Sequence, residues 1–263
     1  MTEISAAMVK QLRDATSAGM MDCKRALQET GGDFDAAVKL LRERGMAQAA
    51  KRAGRETSEG RVVVSTGDGV GTIVAVACET EPVSKNDEFQ AFVDRVLDTV
   101  ASGGDAPSLE QERVELSAKL GENVQVVGTK RMEASDGEVL ASYVHSPANK
   151  VGALVRAKGD PDTARSLALH LTFARPTYGS RDEVPSELVD AEREILQRSE
   201  EVQSKPENVR DKIVDGMLNK RFYGESVLTE QQWYRPEQAS GTVAQVLKEH
   251  GVQLIDYAWY SVS

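Results

Sequence analysis

The chain has 263 residues and carries 42 aspartates and glutamates against 32 lysines and arginines, a formal net charge of −10. Because binding to a nucleic-acid backbone depends on a basic surface, this balance argues against direct nucleic-acid binding. The two cysteines, Cys23 and Cys78, are too few for a disulfide framework or a zinc cluster. The N-terminus lacks the pattern of a signal peptide and no apolar run reaches the length of a membrane span, which predicts a soluble, cytoplasmic protein without membrane contact.

The N-terminal segment differs from the rest of the chain in both charge and pattern. Residues 1–55 carry a net charge of +3, whereas the remaining residues carry −13. Apolar residues recur at helical spacing in three short runs; Asp33 precedes the third run as a good N-cap, and Gly45 follows it. These features predict a three-helix domain, with a connector over 46–59. The small size of this domain indicates that its exposed apolar residues have a docking role.

From residue 60 onward the pattern changes to short β-rich runs and helices. The predicted strands cover 61–65, 70–78, 124–133, 138–145 and 151–157. Turn residues separate the first two strands and again the third and fourth, which predicts two hairpins. A helix follows each unit, the second one over 163–173. Two hairpin-plus-helix units in tandem predict an α+β core with an internal pseudo-repeat.

Residues 185–222 are predicted to form a helical hairpin that projects from the core. The apolar face of its first helix comprises Leu188, Ala191, Ile195 and Val202. A C-terminal module over 240–263 combines one more helix with a final strand. The predicted domains are a three-helix domain at 1–55, a core N-subdomain at 56–145, and a core C-subdomain at 146–263.

The sequence contains no evident catalytic or metal-binding pattern. A phosphate-binding P-loop is missing, and the glycine-rich residues 67–71 lie in a hairpin turn, without a helix N-terminus that could hold a phosphate. The three histidines, His145, His170 and His250, have no partner at metal-ligand spacing. We therefore expect no metal, no cofactor and no catalytic residue.

Residues 12–27 include the string Gly-Met-Met-Asp-Cys-Lys at 19–24 and resemble the N-terminal signature of the elongation factor Ts family. Further similar stretches lie at 32–34, 41–45, 150–155, 169–171 and 241–250. The resemblance covers nearly the whole chain. It implies that the three-helix domain is similar to a ubiquitin-associated domain and that a two-part core, a helical hairpin and a C-terminal module follow.

Members of this family are guanine-nucleotide exchange factors for the GTPase elongation factor Tu. The resemblance implies that this chain binds elongation factor Tu·GDP, disturbs its Mg²⁺ and phosphate site, and promotes GDP release so that GTP can bind. By reciprocity, GDP then weakens the binding of the factor. Exchange of this kind needs no catalytic side chain, so the resemblance implies a protein that is not an enzyme.

The resemblance also assigns partner contacts to individual residues. Met20 and Met21 would pack on the GTPase domain of the partner, and Leu12 would help from the adjacent helix. The alternative for Leu12 is a place in the three-helix core, which its spacing favours. His170 matches a family histidine that lies against the partner, and its alternative is a structural role inside the fold.

The main departure from the family lies in its second signature, Thr-Asp-Phe-Val, where this chain has Thr80, Glu81, Pro82 and Val83. In the family the phenylalanine wedges between helices of the partner near the Mg²⁺ site. Glu81 keeps the carboxylate, whereas Pro82 is smaller and rigid. A buried aromatic anchor at an interface can contribute about 2 kcal/mol or more. This difference leaves an alternative open, a divergent paralogue that binds elongation factor Tu as a regulator without efficient exchange.

Overall fold

The computed structural model describes residues 4–16, 18–234 and 239–262. Two three-stranded antiparallel sheets lie at its centre, and helices precede, cover and follow them. The predicted α+β fold class is confirmed. Within the described ranges, no helix combines the length and the apolar character needed to cross a membrane.

Three helices form the N-terminal part of the chain: α1 (Ala6–Thr16), α2 (Met20–Glu29) and α3 (Phe34–Arg52). Asp33 caps α3 as predicted, since its carboxylate accepts the Ala36 N–H at 3.0 Å. The buried side chains of the three helices form one small cluster: Val9, Leu12, Cys23, Ala26, Leu27, Ala37 and Leu41. The predicted three helices are confirmed, whereas the similarity to a ubiquitin-associated domain stays a prediction.

Helix α3 continues past Gly45, so the predicted helix end there, and a connector beginning at residue 46, were wrong. Alanine, glutamine and lysine in this stretch are good helix formers. Gly45 faces α6 (Glu110–Leu120), where an added Cβ would lie 2.9 Å from the Cβ of Ala118. Glycine at this position therefore permits two helices to pack closely instead of ending one of them.

The first sheet consists of β1 (Glu59–Gly67), β2 (Val70–Cys78) and β3 (Gln125–Glu133), in the order β1-β2-β3. Between β2 and β3 the chain forms α4 (Glu81–Ser84), α5 (Asp87–Ala101), a 3-10 turn at Ala106–Leu109, and α6. Helix α6 was not predicted. It precedes β3 in the chain and packs on α3.

The second sheet consists of β4 (Glu138–Val144), β5 (Val151–Lys158) and β6 (Gln253–Ser261), in the order β4-β5-β6, and α7 (Pro161–Ala174) follows β5. Since β3 pairs with β2 and β4 pairs with β5, the predicted hairpin between the third and fourth strands was wrong. The turn between β3 and β4 connects the two sheets. The domain limits stay predictions, and the one between residues 145 and 146 falls between two paired strands.

The internal repeat contains the predicted hairpin plus helix and adds a third strand to it. Each half runs strand, strand, helix, strand, and its third strand pairs with its second. In both halves the register shifts after the sixth residue of the central strand, at Ala75 in β2 and at Arg156 in β5. Both central strands also begin with Val-Gly, at Val70 and Val151. The pseudo-repeat is thus confirmed, with ββαβ as its unit.

The two sheets pack face to face, and one helix covers the outer face of each. Side chains alternate along each strand, so one set fills the space between the sheets: Val62, Ile73, Ala75, Ala77, Met132, Leu154 and Val262. The opposite face of β2 packs against α5 through Val74, Val76, Cys78, Phe89, Phe92, Val93 and Val96. Helix α7 covers the second sheet in the same way. The result is a four-layer arrangement of helix, sheet, sheet and helix.

The two sheets are in close contact where Tyr260 lies over Gly128. A Cβ added at Gly128 would lie 2.3 Å from Cε1 of the Tyr260 ring. The ring cannot simply swing away, because the Tyr260 hydroxyl donates to the Thr129 carbonyl at 3.0 Å. Gly128 is therefore required by the distance between the two sheets.

After α7 and a 3-10 turn at Arg181–Glu183, the predicted helical hairpin is confirmed as a pair of packed helices, α8 (Ser186–Arg198) and α10 (Glu207–Met217). The elements that complete this region are α9 (Glu200–Gln203), a π-helical turn (Leu218–Tyr223), α11 (Gly224–Ser226), a 3-10 turn (Leu228–Glu230) and α12 (Val243–Glu249). The helix pair has its own core of Leu196, Val202, Val214, Met217 and Leu218.

The predicted apolar face of the first helix was wrong for three of its four residues, whereas the fourth, Val202, lies in α9 and is buried. Leu188 and Ile195 are 48% and 64% exposed, and Ala191 is exposed as well. The buried residue of α8 is Leu196, with Val189 partly buried beside the same cluster. Both sets have helical spacing, so periodicity alone does not distinguish them.

We predict that Gly128→Ala destabilises the protein by about 1–3 kcal/mol, because the new methyl group overlaps the Tyr260 ring. The measurement is the thermal unfolding midpoint by calorimetry. Gly67→Ala is the matched control, since Gly67 lies at a strand end with open space around its Cα. Equal midpoints for the two variants would contradict the assigned contact between the sheets.

Candidate functional site

The second signature forms a tight turn between β2 and α5, which we call the signature turn, residues 80–84. Thr80 is extended, with φ −129° and ψ 152°, and the short helix α4 begins at the next residue. Pro82 lies in the first turn of α4, where a missing backbone N–H has little cost. Helix α4 packs against β1 and β2, so the turn lies directly on the first sheet.

The side chains of the signature turn differ in exposure. Thr80, Glu81 and Pro82 are exposed, with the Thr80 hydroxyl engaged by Glu122, whereas Val83 is half-buried against the cluster that contains Phe89. Val83 therefore anchors the turn, and Glu81 and Pro82 are the groups that a partner could contact.

The Glu81 carboxylate has a local counter-ion. Lys85 Nζ lies 2.7 Å from Glu81 Oε1, one helical turn away, and both side chains are largely exposed. The hydrogen bond from Lys85 holds the pKa of the Glu81 carboxyl below its usual value. Glu81 is thus ionised at neutral pH. A partner could compete with Lys85 for it at little cost, because exposed ion pairs are weak.

Glu81 also lines a charged cleft with a volume of about 410 Å³. The opposite wall consists of residues 147–150 of the second half, and Lys150 there pairs with Glu59 at 2.6 Å. Charged side chains around the cleft are Glu59, Arg61, Glu81, Lys85 and Lys150. Such groups are able to form ion pairs and hydrogen bonds with a partner, and the cleft connects the signature turn with the second half of the fold.

Two residues that sequence reasoning missed hold the signature turn from below. Glu122 accepts the backbone N–H groups of Glu79 and Thr80, each at 3.0 Å, and the Thr80 hydroxyl at 2.5 Å. The neighbouring Asn123 is buried and donates its side-chain amide to the carbonyls of Ala53 and Arg55. The only sequence signal for these two polar residues is their position between Gly121, a left-handed helix C-cap, and strand β3.

Cys78 precedes the turn and is fully buried. Burial raises the pKa of its thiol to about 12, and the nearby carboxylates of Glu122 and Glu59 act in the same direction. The thiol is therefore protonated at neutral pH, and it donates to the Thr80 carbonyl at 3.5 Å. In this role Cys78 is a small structural residue and not a nucleophile.

The structure separates the other predicted contact residues into exposed and buried ones. Met20 and Met21, in the first turn of α2, are 49% and 64% exposed and are free to contact a partner. Leu12 is fully buried among the three N-terminal helices, the place that its spacing favoured. Leu12 can thus support a partner surface only through the packing of α1.

His170 lies inside the fold. Its Nδ1 accepts the Tyr234 N–H at 3.1 Å, so the proton is on Nε2, which donates to Gln231 Oε1 at 3.0 Å. The ring is fully buried and stacks on Trp233, with the centroids 5.7 Å apart. Burial lowers the pKa of His170 below its usual value. This environment matches the structural alternative for His170 and does not place the ring at the surface.

Two aromatic side chains next to His170 are exposed instead. Phe173 and Tyr234 stack with centroids 4.3 Å apart and are 40% and 44% exposed. A protein that approached this end of α7 would therefore meet these two rings before His170. Neither ring was predicted as a contact residue. The path of the chain after α11 brings Tyr234 to this position, and no local sequence pattern indicates it.

We predict that acidification destabilises the protein partly through His170. The unfolded chain binds a proton at His170 below about pH 6.5, whereas the buried ring with its lowered pKa does not. Its contribution to stability is complete above that pH and is lost as the pH falls. Urea unfolding at pH 7.5 and pH 5 should show a smaller loss for His170→Gln than for the wild type. His250→Gln, which changes an exposed histidine, should keep the wild-type loss, and equal losses for all three proteins would refute the assignment.

Comparisons with known proteins agree with the resemblance seen in the sequence. A family model described as "Elongation factor TS" matches residues 79–263. Proteins named elongation factor Ts are similar along nearly the whole chain. The one from Shewanella amazonensis is 38% identical over 259 residues, which cover 97% of this chain and 89% of that protein. The one from Rhodospirillum rubrum is 40% identical over 278 residues, with 97% and 89% covered.

A third relative extends the similarity to the first residues. The elongation factor Ts of Escherichia coli O139:H28 is 38% identical over 269 residues, which cover 100% of this chain and 92% of that protein. The family match includes the signature turn, and the relatives also cover the N-terminal helices that carry Met20 and Met21. This chain belongs to the elongation factor Ts family.

Proposed function

We propose that this protein is a guanine-nucleotide exchange factor for elongation factor Tu. It binds elongation factor Tu·GDP, disturbs the Mg²⁺ and phosphate site of that GTPase, and promotes GDP release so that GTP can bind. Family membership supports the partner and the role. The observation that carries the proposal for this chain is the signature turn, which presents Glu81 and Pro82 to solvent on a fixed support.

Exchange requires binding energy and no bond chemistry on the factor. A surface that fits the nucleotide-poor GTPase better than the GDP-bound form shifts the population toward the former. The same difference makes GDP weaken the binding of the factor. We therefore propose a protein that is not an enzyme, uses no cofactor, and acts in the cytoplasm, where translation takes place.

Two regions provide the proposed contact surface. Thr80, Glu81, Pro82 and Val83 would act at the Mg²⁺ site, with Glu81 and Pro82 in direct contact. Met20 and Met21 would dock on the GTPase domain, since exposed methionines adapt to irregular apolar surfaces. Leu12 and His170 are buried, so both would act by holding the surface residues around them.

The test is the release of a fluorescent GDP analogue from elongation factor Tu, followed with and without this protein. We expect the release rate to rise with factor concentration and to saturate. Binding measured separately by calorimetry completes the test. A protein that binds without accelerating release would contradict exchange and favour the alternative, a paralogue that regulates or sequesters elongation factor Tu.

The observation that favours this alternative is Pro82 in place of the family phenylalanine. Because Pro82 is exposed in the first turn of α4, a larger side chain fits there without changing the core. A proline ring offers less apolar area than a phenylalanine ring, so less of the proposed wedge is available.

We predict that Pro82→Phe raises the saturating rate of GDP release by up to about thirtyfold, the equivalent of the roughly 2 kcal/mol of a buried aromatic anchor. Stopped-flow fluorescence measures the rate at saturating factor concentration. Pro82→Ala is the control, because it removes the proline constraint without adding an aromatic ring. No gain for Pro82→Phe over Pro82→Ala would show that a missing wedge does not limit this protein.

A further inference from the structure

We propose that Glu122 is a positioning residue for exchange, which fixes the signature turn so that Glu81 and Pro82 face the partner in one conformation. This inference rests on the proposed exchange function. Glu122 itself lies beneath the turn and would act through Thr80.

The Glu122 carboxylate accepts hydrogen bonds from the backbone just beyond the end of the sheet pairing. The last strand pairs in this region join Cys78 with Glu59 and Ala77 with Gln125. The next two residues of the chain donate their backbone N–H groups to Glu122 Oε2, both at 3.0 Å. Hydrogen bonds to an ionised acceptor are stronger than those between neutral groups. One side chain thus replaces a strand partner for two consecutive residues.

The Thr80 hydroxyl is also engaged by Glu122. Threonine in the position before a helix commonly caps the helix with its own oxygen. Here the hydroxyl donates to Glu122 Oε1 at 2.5 Å instead, and it makes no capping hydrogen bond to α4. Three hydrogen bonds from two residues therefore converge on one carboxylate, and they determine the direction in which the chain enters α4.

Glu122 is itself held in place by its neighbours. Gly121 adopts φ +77° and turns the chain at the end of α6, and the Ser117 hydroxyl donates to the Glu122 carbonyl at 2.5 Å. The next residue, Asn123, donates its backbone N–H to Glu79 Oε1 at 2.7 Å. The two segments thus bind each other in both directions: Glu122 accepts the backbone N–H groups of Glu79 and Thr80, and Glu79 accepts that of Asn123.

The same contact reaches the N-terminal helices. Asn123 is 1% exposed, and its side-chain amide donates to the Arg55 carbonyl at 2.8 Å and to the Ala53 carbonyl at 3.3 Å. These carbonyls directly follow α3. The segment that orients the signature turn therefore also fastens the helical domain that carries the exposed methionines, so the two proposed contact regions share one support.

A fixed turn matters because exchange depends on a small exposed group in a defined place. If the turn were flexible, binding to the partner would have to order it, at a cost in conformational entropy. That cost would reduce the binding free energy that is left to disturb the nucleotide site. Positioning errors of this kind lower a maximal rate more than they lower overall binding, because other contacts still hold the partner.

The test compares Glu122→Ala, Glu122→Gln and a control on the preceding helix α6, Glu112→Ala, whose carboxylate pairs with Arg95 at the surface. Glutamine can accept the two N–H groups through its oxygen and can donate to the threonine hydroxyl, so it should restore the geometry. We expect Glu122→Ala to lower the saturating rate of GDP release about tenfold, as the loss of one to two net hydrogen bonds would. Glu122→Gln should stay within about threefold, and Glu112→Ala should match the wild type.

A second readout examines the turn without elongation factor Tu. Hydrogen–deuterium exchange of the backbone amides of residues 79–85 should be faster in Glu122→Ala than in the wild type and unchanged in Glu112→Ala. If Glu122→Ala does not fold, Thr80→Val removes one of the three hydrogen bonds and should give a smaller loss of rate in the same direction.

The outcomes separate the inference from the proposed function. A wild type that accelerates release, with Glu122→Ala equal to it in rate and in amide exchange, would overturn the positioning role and leave exchange standing. A loss that Glu122→Gln does not restore would also overturn it in favour of a role for the charge. A wild type that fails to accelerate release would overturn the proposed function instead, and the positioning role in exchange with it, even if amide exchange still showed that Glu122 holds the turn.

Discussion

The structure depends on the burial of strand β2 on both faces. Ile73, Ala75 and Ala77 face the second sheet, whereas Val74 and Val76 face α5. Its neighbours are positioned relative to this strand: β1 and β3 pair with it, and α5 and the second sheet cover its two faces. Because its burial continues to Cys78, the signature turn begins at the point where the chain leaves the core.

Local sequence patterns predicted the helices and strands of this fold better than they predicted which strands pair and which helix faces pack. Capping by Asp33 and the β-rich composition of the strands are local properties, and the structure has both the cap and the strands. Which strand pairs with β3 depends on the whole sheet and not on the adjacent turn. The residues after 133 are typical of a hairpin turn, and they therefore predicted, wrongly, that β3 pairs with β4. The packing side of α8 was missed for a related reason, since Leu188 and Leu196 lie on two stripes of equal spacing.

The residues of the candidate site also fall into two groups, those that the sequence identifies and those that only the structure identifies. Glu81, Pro82 and the two methionines could be found from the chain alone, because the signature strings that contain them are continuous. His170 needed the structure, since its burial comes from Gln231 and Trp233, about sixty residues later in the chain. Glu122 needed it as well, because a carboxylate that accepts backbone N–H groups from a distant strand end has no local pattern.

The two halves of the core differ in the connection between the central strand and the helix that follows it. In the second half β5 leads into α7 within a few residues, whereas the first half inserts α4 between β2 and α5. The exposed residues of this insertion belong to none of the buried clusters. A duplicated scaffold of this kind can diversify its recognition element in one copy while natural selection preserves the packing of both. Pro82, at the position where the resemblance implies a phenylalanine, would be such a change, because it is exposed in the first turn of α4 and lies outside the buried clusters.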